Sequence, residues 1–128
     1  MRLAAFLVAA AALLPLPALA EPCAVLARQV DAAGHGSNTG AVFVVSYPAA
    51  TDKALRNVAF LYDNAPATLA LVGCGDTARA ARIGDAILAA LDHDRFWKDG
   101  RLRTGYLAGP PSHPVKLAGW TEGGRWIE

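Results

Sequence analysis

Asp63 is the carboxylate in this chain with the strongest claim to acid–base chemistry. At about 100° per helical residue it lies about 200° from Leu61 and shares a face with Ala59, Ala67 and Ala70. Small side chains there let another group approach closely. The competing reading is structural, with Asp63 capping a kinked helix or pairing with Arg56. Asp92, Asp94, Glu122 and Glu128 read as solvated, so no second carboxylate is nominated. Tyr62, Trp97, Tyr106 and Trp120 are aromatic rings at loop or helix edges that can stack on a pyranose face or fill a core. His35, His93 and His113 fall in separate loops with no i, i+4 partner, which argues against a metal site and against a Ser-His-Asp triad. No cofactor is expected. The stretch Gly34 to Gly40 lies between a helix and an apolar run, not between a strand and a helix, so it reads as a flexible loop and not as a phosphate cradle.

Two cysteines, Cys23 and Cys74, follow an amino terminus built as an export signal. Met1 and Arg2 open an apolar run that is short for a membrane span and closes on Ala18-Leu19-Ala20, a small-residue cleavage site. Cleavage there leaves a mature chain starting at Glu21 in a secreted or periplasmic location, with no Arg-Arg pair and no convincing lipid-attachment cysteine. In an oxidising compartment, with no C-x-x-C spacing, a Cys23–Cys74 disulfide is the default. Closing a loop of about 52 residues would stabilise the fold by roughly 4 kcal/mol in the chain-entropy account.

The chain has 12 basic and 11 acidic residues, and removal of Arg2 with the signal leaves the mature charge at zero. That balance gives no electrostatic reason to expect nucleic acid or an anionic membrane as partner. No other segment reaches the roughly 20 apolar residues of a membrane anchor.

These candidates must be positioned by few elements. Residues 21–33 read as a helix, with Leu26 and Val30 four apart, and residues 41–47 as a strand-like run. A second helix is expected to start between Asp52 and Asn57 and to reach Val72, with Val58, Leu61, Ala65, Leu69 and Val72 as its inner stripe and a kink at Pro66. Gly73 and Gly75 end it, and Asp76 or Thr77 caps a third helix to Leu91, whose stripe is Ile83, Ile87 and Leu91. Antiparallel first and second helices would bring Cys23 to Cys74. Asp99-Gly100 signals a small β-hairpin, and residues 108–128 read as a loop-like tail.

The segment Phe60-Leu61-Tyr62-Asp63-Asn64-Ala65, then a small-residue helix, a Gly-Asp break, an Ala/Arg-rich helix and Asp99-Gly100-Arg101-Leu102, resembles the start of a secreted six-hairpin glycosidase-like protein. The likeness covers roughly Asn57 to Tyr106. It implies a mainly α fold of helical hairpins from an (α/α)6 toroid, here incomplete, with residues 21–107 as a partial toroid. It also implies a saccharide partner, with Tyr62, Asp63 and Asn64 lining a cleft and Asp63 as the catalytic carboxylate. Pro66 departs from the pattern, and the chain supplies little more than one helical hairpin. Glycoside hydrolysis requires two carboxylates. The chain is therefore expected to be an inactive amino-terminal part of an exported carbohydrate-active protein. The alternative is a small disulfide-linked module that holds a glycan or a protein without catalysis.

Overall fold

The computed structural model describes residues 20–52, 55–94, 98–112, 120–122 and 125–127. Residues 1–19, which make up nearly all of the segment expected to be an export signal, lie outside them, as do Trp97 and His113. The described chain is mainly helical, with short antiparallel strand pairs.

Helix α1 spans Ala20–Ala33, and its stripe works as its spacing predicts, with Val30 fully buried and Leu26 packed beside it. It ends when the His35 amide donates to the Ala32 carbonyl at 3.1 Å and the Gly36 amide to the Asp31 carbonyl at 3.3 Å. This paired closure puts His35 in the left-handed region, at φ 53°. Glycine takes that position freely, whereas a side chain there costs about 1 kcal/mol. Helix α2, Leu61–Gly73, closes through the same two bonds, Gly75 to Val72 and Asp76 to Leu71, and there the left-handed residue is a glycine.

The stripe expected for α2 is turned outward. Leu69 and Val72 are 72% and 52% exposed, while Asn64 and Leu71 are buried and Ala67 packs on the core. Ala59 lies in a strand and so drops out of the small-residue face, whereas Ala67 and Ala70 follow Asp63 by four and seven residues in α2, with Ala70 exposed. The cause is composition, because a helix apolar nearly all round gives no phase by which to choose its inner side. Pro66 lies inside α2, exposed, and the helix continues through it. Its ring removes the hydrogen bond that residue 66 would give to the Tyr62 carbonyl. Pro66→Ala is expected to stabilise the protein by about 1 to 3 kcal/mol. Thermal unfolding followed by circular dichroism should show a midpoint several degrees higher, and an unchanged midpoint would mean that the Tyr62 carbonyl loses nothing to the proline.

Val58 does not begin the second helix. Strand β1, Val58–Phe60, pairs antiparallel with β2, Gly105–Leu107, in the register Val58 with Leu107, Ala59 with Tyr106 and Phe60 with Gly105. Val58 and Phe60, two β-favouring residues ahead of a proline-bearing helix, are better used against a partner strand than as a helical turn. The Asp99-Gly100 turn forms, with Gly100 at φ 79° and the Arg101 amide donating to Asp99, but the arm after it pairs with β1 instead of folding back locally. The extended run from Ala41 lies beside this sheet, where Phe43 and Gly109 exchange both backbone bonds and the Ser46 amide donates to the Val58 carbonyl. Strands β3, Trp120–Glu122, and β4, Arg125–Ile127, form a second antiparallel pair, so the tail expected to be loop-like is not devoid of regular structure. The intervening Gly123-Gly124 is a turn-favouring dipeptide between β-prone residues.

Helix α3, Thr77–Asp92, is capped by the Asp76 side chain, which accepts the Arg79 amide at 3.1 Å. Ala80 and Ile83 pack with Val30, Val42, Val44 and Leu71; Ala86 and Ala90 pack with Phe43, Ala59 and Tyr106; Ile87 touches both groups. Arg82 is not part of the Ile83, Ile87 and Leu91 stripe, yet it is buried. It donates to the Gly40 carbonyl at 3.0 Å and the Ser37 carbonyl at 2.8 Å, so the glycine-rich loop is anchored to α3. Gly34 is needed there, because a β-carbon would run into the Arg82 guanidinium and the Ser37 carbonyl. Arg79 bridges Asp31 of α1 and Asp76, and its guanidinium holds both carboxyls below their ordinary range. The expected Cys23–Cys74 disulfide is present and ties the start of α1 to the end of α2, with Cα atoms 5.9 Å apart.

Candidate functional site

The first turn of α2 carries the three consecutive residues that the sequence singles out, and helix geometry sends them in different directions. Phe60 precedes the helix in extended conformation and supplies no side-chain cap. Its amide is taken by the Ser46 hydroxyl at 2.8 Å, so the carboxylate at Asp63 has no reciprocal capping bond to make. Asp63 lies in the first turn, where the helix dipole favours a negative charge. It is partly buried, and among the described residues no hydrogen bond or ion pair engages it. Arg56, the partner considered from sequence, donates instead to the Thr51 carbonyl at 3.1 Å.

Tyr62 points outward. It is 57% exposed and stacks on Phe60, with ring centroids 5.1 Å apart and planes 20° from parallel. Tyr47 meets Phe60 edge-on at 6.0 Å, and its hydroxyl lies 3.4 Å from that of Tyr62. Together the exposed Tyr47 and Tyr62 and the half-buried Phe60 form an aromatic face next to Asp63 in sequence. Sequence reasoning missed Tyr47 and Phe60, because it treated the first as the end of an apolar strand-like run and the second only as part of a motif. The signal was the tyrosine at the solvent end of that run, followed by Pro48.

The contact with Tyr47, then burial and the negative charge of Asp63, push the Tyr62 phenol up to about 12. A tyrosine in an unfolded chain ionises near 10. The stabilisation linked to the Tyr62 proton is therefore complete below about pH 10 and is lost as pH rises through about 12. Phenolate absorbance of the folded protein should show Tyr62 ionising late, and Tyr47→Phe should bring it back toward the ordinary value. Tyr62 ionising near pH 10 in the parent protein would mean that the two hydroxyls do not meet.

Asn64 and Tyr106 were expected to touch ligand, and the structure places both in the core. Asn64 is 1% exposed; its side-chain oxygen accepts the Val44 amide at 2.8 Å, and its side-chain nitrogen donates to the Val44 and Phe60 carbonyls at 2.9 and 3.0 Å. Both N–H donors of the amide are spent on backbone carbonyls, and burial closes its oxygen to a sugar hydroxyl. Tyr106 is fully buried, stacks on Phe43 at 4.9 Å, and accepts the Arg103 amide through its hydroxyl at 2.7 Å. Its ring faces are taken by protein. Trp97 lies outside the described residues, and Trp120 is placed as a strand residue opposite Ile127. Asp94, read as solvated, is buried and paired with Arg103 at 3.0 Å. Among the described residues no group of three or more His, Cys, Asp or Glu side chains could hold a metal ion, and every buried side-chain polar atom has a partner. No helix among them is long and apolar enough to cross a membrane.

No protein-family model, curated protein or solved structure matches this chain.

Proposed function

We propose that the chain engages a saccharide through the Tyr47–Phe60–Tyr62 face, with Asp63 accepting hydrogen bonds from sugar hydroxyls. The exposed Tyr62 ring, stacked on Phe60 with its hydroxyl 3.4 Å from that of Tyr47, carries this reading. A pyranose presents axial C–H groups on one side and hydroxyls around its rim. A rigid ring answers the first, and an unengaged carboxylate answers the second. Immobilising a platform in advance lowers the entropy lost on binding. The reading keeps the link with glycosidase-like proteins, on the strength of the Tyr62-Asp63-Asn64 motif alone, and recasts Asn64 as the residue that positions the turn.

Titration of the full chain with neutral β-linked oligosaccharides, followed by tyrosine fluorescence and by sugar product analysis, tests it. Tyr62→Ala is expected to weaken binding by roughly tenfold or more. Asp63→Asn keeps a hydrogen-bonding group and should lose only a few-fold if Asp63 binds without catalysing. Product release that Asp63→Asn abolishes would make the site hydrolytic. Binding that Tyr62→Ala leaves untouched would remove the saccharide face altogether.

A further inference from the structure

The end of α1, Val45 and Pro48 on either side of Tyr47 in sequence, Arg56, Asn57 and Ala108–Gly109 line an open groove of about 320 Å³. Its lining is largely apolar, with Ala32, Ala33, Val45, Pro48 and Ala108, and its polar members are Gln29, Asn57, His35 and Arg56, with no aspartate or glutamate. That volume is at the small end of ligand sites, which run from about 300 to 1,000 Å³.

We infer that this groove binds a small organic carboxylate with a compact apolar body, held by Arg56 and His35. Two independent observations point this way. Arg79, Arg82, Arg101 and Arg103 each pair with an aspartate, whereas Arg28 and Arg56 have no carboxylate partner among the described residues, and of these two only Arg56, which donates to the Thr51 carbonyl, lines the groove. Its planar fork is therefore open to an external carboxylate, the group it matches in a bidentate way. His35 is the second. It is the only non-glycine residue with positive φ among the described residues, although α2 closes with the identical bonds and a glycine. A side chain kept where glycine would relax the backbone signals a role for that side chain. The ring of His35 reaches the groove wall, with Nε2 3.6 Å from where a β-carbon on Gly109 would stand. One guanidinium and one imidazole suit a monoanion, and the alanine, valine and proline lining suits a body without hydroxyls.

The inference does not depend on the aromatic face, and its probes are not sugars. The isotopically labelled full chain is titrated by NMR with benzoate, with benzamide as its uncharged counterpart and with sulfate as a bare anion. Benzoate is expected to give saturable shifts at Val45, Ala108, Gly109 and the Arg56 side chain. Benzamide, and benzoate with Arg56→Gln, should bind roughly tenfold more weakly. His35→Gly should weaken benzoate by roughly threefold while raising the thermal midpoint, an opposition that a purely structural histidine would not produce. Absence of saturable benzoate shifts, equal binding of benzamide, or an unchanged affinity in Arg56→Gln overturns the inference. So does sulfate binding as tightly as benzoate, which would leave the apolar lining without a part.

Discussion

Asn64→Leu is expected to cost the fold about 3 to 5 kcal/mol, because it leaves the buried Val44 amide and carbonyl without partners at about 1 to 3 kcal/mol each. Val44 is 5% exposed, so water cannot replace the lost side chain, and the Phe60 carbonyl loses a donor as well. For a small domain with stability on the order of 5 to 15 kcal/mol this is a large fraction, and the thermal midpoint should fall by well over ten degrees. Asn64→Asp provides the sharper comparison. It keeps the acceptor for the Val44 amide but turns a carboxylate oxygen toward two carbonyls. Protonation restores the donor, so the folded state raises the acid's pKa. The variant should be least stable near neutrality and recover as pH falls through that raised value, opposite to the usual acid response of a paired aspartate. A leucine variant that melts within a few degrees of the parent would show that Val44 finds other partners.

Loss of the Cys23–Cys74 bond is expected to have a comparable effect. It joins residues 51 apart in sequence, and loop closure on that scale corresponds to about 4 kcal/mol in the chain-entropy account, with about 2 to 5 kcal/mol typical for native disulfides. The Cys23→Ser, Cys74→Ser double variant should unfold at markedly lower urea concentration with a similar slope. The start of α1 should lose hydrogen-exchange protection first, since α1 has no other covalent tie to the helices it packs on. Equal midpoints for the parent under oxidising and reducing conditions would contradict this.

The residues explain which parts of the molecule were legible in the chain. Helices α1 and α3 were, because Val30, Ile83 and Ile87 recur at helical spacing among charged neighbours, so both period and inner face can be read. The disulfide was legible from cysteine count and context. Helix α2 was legible in its existence and end but not in its phase, since Asn64 and Leu71 face the core while Leu69 and Val72 face out. A buried amide that serves as a backbone surrogate leaves no mark on a hydrophobic pattern. Strand β1 is three residues long and its partner lies beyond two helices, so nothing local encodes the pairing. The burial of Arg82 depends on carbonyls of a loop more than forty residues away, which no periodicity reports. At the candidate site, Tyr62 and Asp63 were visible as types, but the stacking of Tyr62 on Phe60 and the approach of Tyr47 come from tertiary packing.

Because β1 enters α2 directly and β2 lies beside β1, the α2–α3 unit begins and ends at one place. The far end of the same hairpin is held as well, since Cys74 is bonded to Cys23 and Asp76 shares Arg79 with Asp31 of α1. The unit is thus fastened at both ends, to a strand at its base and to α1 at its tip. Residues inserted between Cys74 and Asp76 would therefore strain the docking of α1, and a graft there must leave both attachments in place.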